Sequence, residues 1–437
     1  MTAPPPPRPA ATVVVVRDAP HGLELLLLRR AEKGDHNSCA WVFPGGLLDA
    51  GDRHCHDACV GLDDRAASAL LGVPHGGLDH FVASIRECFE EAGILFAVDE
   101  RGQPIDMLVD AGTRLGELRA PLHRGEVAFA DICRDFGLRL AADQLFYIAH
   151  WITPPGRAKR FDTRFFLAVL PAGQSSAHDA LETVDHVWLR PADALSSENS
   201  RRLMTPTRAV IGMIGRFADT RALLAWARSP REVPTVAPRL GVDRHGVRPV
   251  PPHEPAWAEL GLLDPQGHGT AWCELRPDVP VRLTPRVARI ASADGGNTYV
   301  VGSGDDWAAI DPAAADQAHL DAVLAAAGGR IGTILLTGAA DAATAAWRDR
   351  TGAGVREAAP GDAVVLGGDC TLQVLAPFDR ARSGRRYLLV QDQMLVGGTV
   401  ADAALPALAE RGIEWVAPAR GFLVATKGRT GTREPAA

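Results

Sequence analysis

Two runs of apolar residues separated by a polar turn set the first pattern along the chain. TVVVVRD and LELLLLRRA read as strands joined across APHG, and after a mixed loop to Cys39 the stretch AWVFPGG completes a β-rich opening. From about Asp79 to Ala92 the apolar positions recur at helical spacing, and Gly93 stands in the stop position. Strands follow at LFYIAHWIT and RFDTRFFLAVL, and VDHVWLRPADAL leads into a helical tail that fades after Trp226. The second half alternates: strands RVARIAS, NTYVVGS and WAAIDPA, helix QAHLDAVLAAAG, strand IGTILLTG, helix AATAAWRDRTG, strands AVVLGG, CTLQVLAP and RYLLVQDQMLVGG, helix ALPALAERG and strand IEWVAPA. Such alternation predicts an α/β domain with mixed sheets.

Between the halves, residues 229–255 hold seven prolines and hardly any periodic apolar signal. This predicts a linker. The expected organisation is a disordered Pro-rich head at 1–10, a first domain at 11–228, the linker, and a second domain at 256–437. A length of 437 residues with 46% hydrophobic and 23% charged side chains suits two cores better than one. The net charge of -7 and scattered Lys and Arg offer no basic face for a phosphate backbone, which excludes nucleic acid as the expected partner. Neither a signal-peptide pattern nor an apolar run long enough for a bilayer is present, so a soluble cytoplasmic protein is expected. Seven unevenly spread cysteines are read as reduced thiols.

Candidate chemistry lies on the helix that ends at Gly93. With Glu87 placed at 0° on a helix of about 100° per residue, Glu90 falls near -60° and Glu91 near +40°. Three carboxylates therefore share one arc, while Phe81, Val82, Ile85, Cys88, Phe89 and Ala92 occupy the other side. Like charges this close destabilise a bare helix. A divalent cation reverses that effect, and oxygen ligands suit Mg²⁺ or Mn²⁺.

The residues Arg86 to Ile94, RECFEEAGI, resemble the second half of the Nudix box position for position. Its first half, a glycine followed six residues later by an acid, is matched by Gly46 and Asp52, with Asp in place of Glu. Positions 53–85 separate the halves, so the box is interrupted, with an insertion at about 53–78. An interrupted box after VFPGGLLD resembles the Nudix branch that contains the acyl-CoA diphosphatases, as do WITPPGRAKRFDTRFF and HDALETVDHVWLRPADAL downstream. The resemblance implies an α/β/α sandwich with a mixed sheet. It assigns Glu87, Glu90, Glu91 and the Gly45 carbonyl to Mg²⁺ or Mn²⁺, and Glu182 as a further ligand or, alternatively with Glu87, the general base. Arg86 would orient the acids, Arg160 or Arg164 would meet substrate phosphates, and Arg30 or Arg29 matches a CoA-type signature upstream. Gly45 and Gly46 would form the turn, with Asp52 a structural contact. The implied substrate is a small nucleoside-diphosphate compound, CoA or acyl-CoA, cleaved to adenosine 3',5'-bisphosphate and (acyl-)phosphopantetheine.

In the second half, GGNTYVVGSGDDWAAIDPA through IGTILLTG resembles the metallo-β-lactamase superfamily, which implies an αββα sandwich across about Val279 to Val424. The metal-binding histidines of that family are missing: Gly338 to Ala343 replace the first motif, Gln391 to Gln393 the second and Pro418 to Gly421 the third. No zinc and no hydrolysis are expected there, Asp311, Asp341 and Asp392 are read as structural, and the domain is expected to pack, dimerise or hold a ligand. His54, Cys55, His56 and Cys59 lie close together, yet a closed zinc site needs a second ligand pair and none is evident. These thiols are expected to pack in the insertion. The alternative for the whole chain is a binding or regulatory protein built from two degenerate hydrolase domains.

Overall fold

The computed structural model describes residues 5–32, 39–107, 110–177, 179, 183–313, 316–377 and 384–427. Contacts divide it into two compact units, Pro5–Thr153 with Arg157–Val236, and Ala237–Ala437 with Pro154–Gly156.

The first unit is built on strand β1 (Arg8–Ala19), whose run Val13 to Val16 is buried throughout. Successive strand side chains face opposite ways. Val13 and Val15 enter one core with the glutamate helix, and Val14 and Val16 enter another on the far face. That is why four consecutive valines appear where an exposed sheet would alternate. Strand β1 pairs antiparallel with β2 (Gly22–Arg30) and, near its start, with β4 (Gly45–Leu47); β3 (Trp41–Val42) lies beyond β2. On its other side it runs parallel to the Phe161–Val169 strand, which pairs with Phe146–Ile152. Helices α1 (Asp64–Leu71) and α2 (Gly77–Ala92) cover one face, and the helices Pro191–Leu195, Thr205–Ile214 and Thr220–Arg228 cover the other. The result is the expected α/β/α sandwich with a mixed sheet.

The second unit holds two six-stranded mixed sheets. Tyr299, Val301 and Ile310 of one face Leu372, Val374, Tyr387 and Met394 of the other. Helices Gln317–Ala326 and Ala342–Thr351 bury Leu320, Val323 and Trp347 against the outside of the first sheet, and Leu405–Glu410 packs Leu405 and Leu408 on the outside of the second. Four layers in the order αββα match the expected fold class.

Three expectations are corrected. The head does not extend to residue 10: Arg8, Pro9 and Ala10 already pair in β1, and Pro9, which has no N–H to give, contributes its carbonyl to Leu48 N at 3.2 Å. Residues 229–255 are not a plain linker. Thr235–Val236 joins the first unit's sheet beside His150 and Trp151, and Arg239–Asp243 with Gly246–Val250 forms a hairpin that buries Leu240 and Val250. Composition missed this because the prolines sit at strand ends and on a two-stranded hairpin, where a lost ladder bond costs little. The acidic helix starts at Gly77, two residues before Asp79.

Candidate active site

Helix α2 carries all three glutamates, and a single guanidinium holds two of them, Glu87 and Glu90. Arg86 Nε donates to Asp52 Oδ1 at 2.8 Å and Nη2 to Asp52 Oδ2 at 3.2 Å and to the Leu47 carbonyl at 3.0 Å. Its Nη1 reaches Glu87 Oε1 at 2.8 Å and Glu90 Oε1 at 3.2 Å. Arg86 thus ties the first half of the interrupted box to the second. Asp52 is buried and also accepts the Asp49 N–H at 2.7 Å, which makes it an anchor of the turn.

Gly45 and Gly46 close the other side. Glu91 Oε2 accepts the Gly45 N–H at 2.9 Å, so the Gly45 backbone meets the acidic helix through its amide in this arrangement. A Cβ at Gly46 would stand 2.4 Å from Glu87 Oε1, so residue 46 is glycine because the carboxylate occupies that space. At Gly45 the obstacle is backbone: a Cβ would meet the Ala11 carbonyl at 2.5 Å.

Charge is unbalanced here. Burial pushes the Glu87 carboxyl up to about 7; Arg86 opposes the rise and the charge of Glu90 adds to it. Glu90 and Asp52 are also raised, first by burial, with Arg86 partly offsetting each. A carboxylate whose ionised form is penalised in this way is stabilised by an added cation. The all-oxygen donor set therefore fits Mg²⁺ or Mn²⁺ in chemistry, although among the described residues no three such side chains already converge as a metal-ligand group. Arg86 holds Glu87 and Glu90 instead, and the Gly45 N–H holds Glu91.

The remaining predicted residues separate. Glu182 lies outside the described residues; its neighbour Thr183 places Oγ1 3.3 Å from the Glu91 carbonyl. Arg164 is buried with its Nη1 on Asp162 Oδ1 at 3.0 Å and 3.3 Å from His80 Nε2, and His150 Nε2 meets the same Asp162 oxygen at 2.5 Å. Arg160 spends its donors on the Thr153 and Pro5 carbonyls, at 3.1 and 2.7 Å. Each guanidinium thus has part of its donor set bound within the fold. Arg30 is half-buried at the end of β2, paired through its backbone with Ala40 and Thr183. In the insertion, His56 pairs with Asp79 at 2.7 Å, Cys59 Sγ lies 3.5 Å from the Cys55 carbonyl, and Cys55 is buried.

Sequence reasoning missed His123, whose Nδ1 lies 3.6 Å from Glu90 Oε2, and Arg119, which binds the end of α2. Both come from one short helix, Arg119–His123, whose apolar periodicity is too brief to register.

In the second unit the acids serve structure. Asp341 caps the Ala342–Thr351 helix, accepting from Thr344 N at 2.9 Å. Asp311 accepts from Thr337 N at 2.7 Å and Thr337 Oγ1 at 2.8 Å, and Asp392 accepts from Thr284 Oγ1 and Arg286 Nη1 at 2.5 and 2.9 Å.

Comparison with known proteins adds the following. The family model described as the NUDT19 Nudix domain matches residues 63–210. An acyl-coenzyme A diphosphatase NUDT19 from Xenopus laevis is 28% identical over 216 residues, which cover 42% of this chain and 57% of that protein. The chain thus spans little more than half the length of this relative. A Nudix hydrolase structure from Alicyclobacillus acidocaldarius is 26% identical with a TM-score of 0.43, covering 50% of this chain and 96% of that one. A metallo-β-lactamase from Cronobacter sakazakii is 14% identical with a TM-score of 0.26, covering 33% of this chain and 74% of that one. The Nudix resemblance of the first unit is therefore met by the family model and by curated relatives.

Proposed function

We propose that the first unit is a Nudix diphosphatase that hydrolyses CoA or an acyl-CoA, with Mg²⁺ or Mn²⁺, to adenosine 3',5'-bisphosphate and (acyl-)phosphopantetheine. The observation that carries this reading is how the two halves of the interrupted box meet: Arg86 binds Asp52, Glu87 and Glu90, the Gly45 N–H binds Glu91, and Gly46 leaves room for the Glu87 carboxylate. The relatives named acyl-coenzyme A diphosphatase support the substrate class.

Glu87, Glu90 and Glu91 would hold the metal together with the Gly45 carbonyl. When bound, the ion supplies charge neutralisation at the diphosphate and acidifies the attacking water. The chain's own work is placement and proton handling. Arg86 fixes the directions of Glu87 and Glu90 through Nη1, and Asp52 fixes Arg86 in turn. Glu87 shares with Glu182 the candidacy for taking a proton from water. The second unit is proposed to be non-catalytic, since Asp341 caps a helix and Asp311 and Asp392 are bound by Thr337, Thr284 and Arg286.

A second reading, a binding protein that has lost turnover, is favoured by one feature: Asp52 stands where the box has Glu, and Arg86 binds it with two bonds while also holding two of the glutamates. Incubation with Mg²⁺ or Mn²⁺ and a panel of CoA esters, ADP-ribose, NADH and dinucleoside polyphosphates decides between them. CoA cleavage abolished by Glu90→Gln and Glu91→Gln supports the enzyme. Absence of product from every substrate, or equal product from both variants, supports the binding protein.

A further inference from the structure

The last four carbonyls of any helix have no partner within it. In α2 these belong to Phe89, Glu90, Glu91 and Ala92, the turn that carries two of the three glutamates, and each is taken by another segment. Phe89 O accepts from Gly93 N at 3.1 Å and Arg119 Nε at 2.9 Å; Glu90 O accepts from Arg119 Nη2 at 3.0 Å and Nε at 3.3 Å. Glu91 O accepts from Thr183 Oγ1 at 3.3 Å, and Ala92 O from Ala177 N at 2.8 Å. Arg119 Nη2 also donates to the Ala177 carbonyl at 2.7 Å, so one guanidinium joins the end of the acidic helix to the segment that leads toward β-strand Thr183–Leu189.

A neutral donor could satisfy these carbonyls. A guanidinium adds a positive charge at the negative end of the helix, where it offsets the helix dipole. One turn further along its own short helix, Arg119–His123, the His123 ring reaches Glu90 Oε2 at 3.6 Å. Residues four apart share a helix face, so the backbone contact and the side-chain contact come from one rigid piece. Gly93 is part of the fit, because a Cβ there would stand 3.0 Å from Arg119 Nη1.

We propose that Arg119 is a positioning residue of the diphosphate site, with His123 as the second contact of the same brace: together they set the direction in which Glu90 and Glu91 present their carboxylates. The inference rests on the diphosphatase reading above. Arg119 touches no substrate; it acts through the last turn of α2.

The test compares wild type, Arg119→Gln, Arg119→Lys and His123→Gln in the full chain, with Arg124→Gln, an exposed neighbour paired to Glu126, as the control. Two quantities are read: kcat and KM for CoA per folded molecule, and binding of Mn²⁺ alone, followed by the paramagnetic resonance of the free ion. Arg119→Gln is expected to lower kcat about tenfold or more with KM little changed, and to weaken Mn²⁺ binding several-fold, as supporting partners of a metal site do. Arg119→Lys, which keeps the charge and fewer bonds, recovers part of both, and His123→Gln shows a smaller loss. Wild-type kcat and Mn²⁺ binding in Arg119→Gln overturn the proposal, whatever happens to its melting temperature. Should that variant not fold, Arg119→Lys and His123→Gln with both quantities unchanged overturn it equally. A wild type that binds Mn²⁺ but turns over no substrate sinks the diphosphatase reading and leaves Mn²⁺ affinity to decide the brace; one that binds no Mn²⁺ sinks both.

Discussion

Exchanging Gly46 and Gly45 singly for alanine separates the chemistry of the site from its fold. At position 46 the new methyl would stand 2.4 Å from Glu87 Oε1, 2.5 Å from its Cδ and 2.7 Å from Oε2, where ordinary contact begins at 3.4 Å. The carboxylate must retreat by about 1 Å, which stretches its 2.8 Å bond from Arg86. Displacing a catalytic group this far costs roughly a hundredfold in rate. The stability cost stays near the low end of overpacking, about 1 kcal/mol, because a side chain and not the sheet gives way. At position 45 the methyl meets the Ala11 carbonyl at 2.5 Å and Thr12 Cα at 2.7 Å, in the central strand. Nothing there can swing aside, so Gly45→Ala is expected to cost about 3 kcal/mol. Turnover of CoA per folded molecule, together with urea midpoints, measures both. Full turnover in Gly46→Ala refutes the place given to Glu87; equal stability losses in the two variants refute the geometric reasoning.

Three further outcomes are expected. Glu90→Gln and Glu91→Gln each lower turnover by about a hundredfold or more at fixed Mg²⁺, since even outer partners of a metal cost up to about that much; initial-rate assays check it, and losses under tenfold count against the ligand assignment. Burial, reinforced by the Arg164 charge, pushes the His80 imidazole down to about 4 from its ordinary 6.5, so the unfolded chain takes up a proton that the native state refuses. Stability therefore falls as pH drops from about 6.5 to 4, by up to about 3 kcal/mol, and His80→Gln flattens that part of the urea-midpoint profile; an unchanged profile refutes the assignment. In the second unit, both Glu259 oxygens bind the buried Arg289 guanidinium, and Oε2 also accepts the Leu423 N–H at 2.8 Å. Removing one partner of such a pair costs about 3–5 kcal/mol, so Glu259→Gln should shift the denaturation midpoint of that unit strongly, and a wild-type midpoint refutes it.

What the sequence disclosed and what it withheld follow from the range of the forces involved. The valine run of β1, the arc of glutamates on α2 and the stop at Gly93 are local patterns, each visible within one turn or one strand. The two halves of the box were legible too, and Asp52 was expected to make a structural contact, while its partner Arg86 came from the structure. Hidden were contacts made by residues far apart in the chain. Arg164 looked like a phosphate ligand because its burial beside Asp162 and His80 depends on strand register and on a helix more than eighty residues earlier. Arg160 is similarly engaged by a carbonyl at Pro5. Arg119 and His123 stood in one short helix with little apolar rhythm. The hairpin at Arg239–Asp243 and Gly246–Val250 was masked by proline content, which marks a broken ladder without saying whether a strand remains around the break.

The way α2 ends has a consequence for how this protein fails. Acceptors at Phe89 to Ala92 are bound by residues drawn from positions 119, 177 and 183, so the terminal turn cannot fray without pulling on three distant stretches at once. Helix ends ordinarily exchange their amide hydrogens first. Here the acid-bearing end melts with the sheet beneath it, and heat should extinguish activity at the temperature where the first unit unfolds as a whole, with no earlier softening of the site.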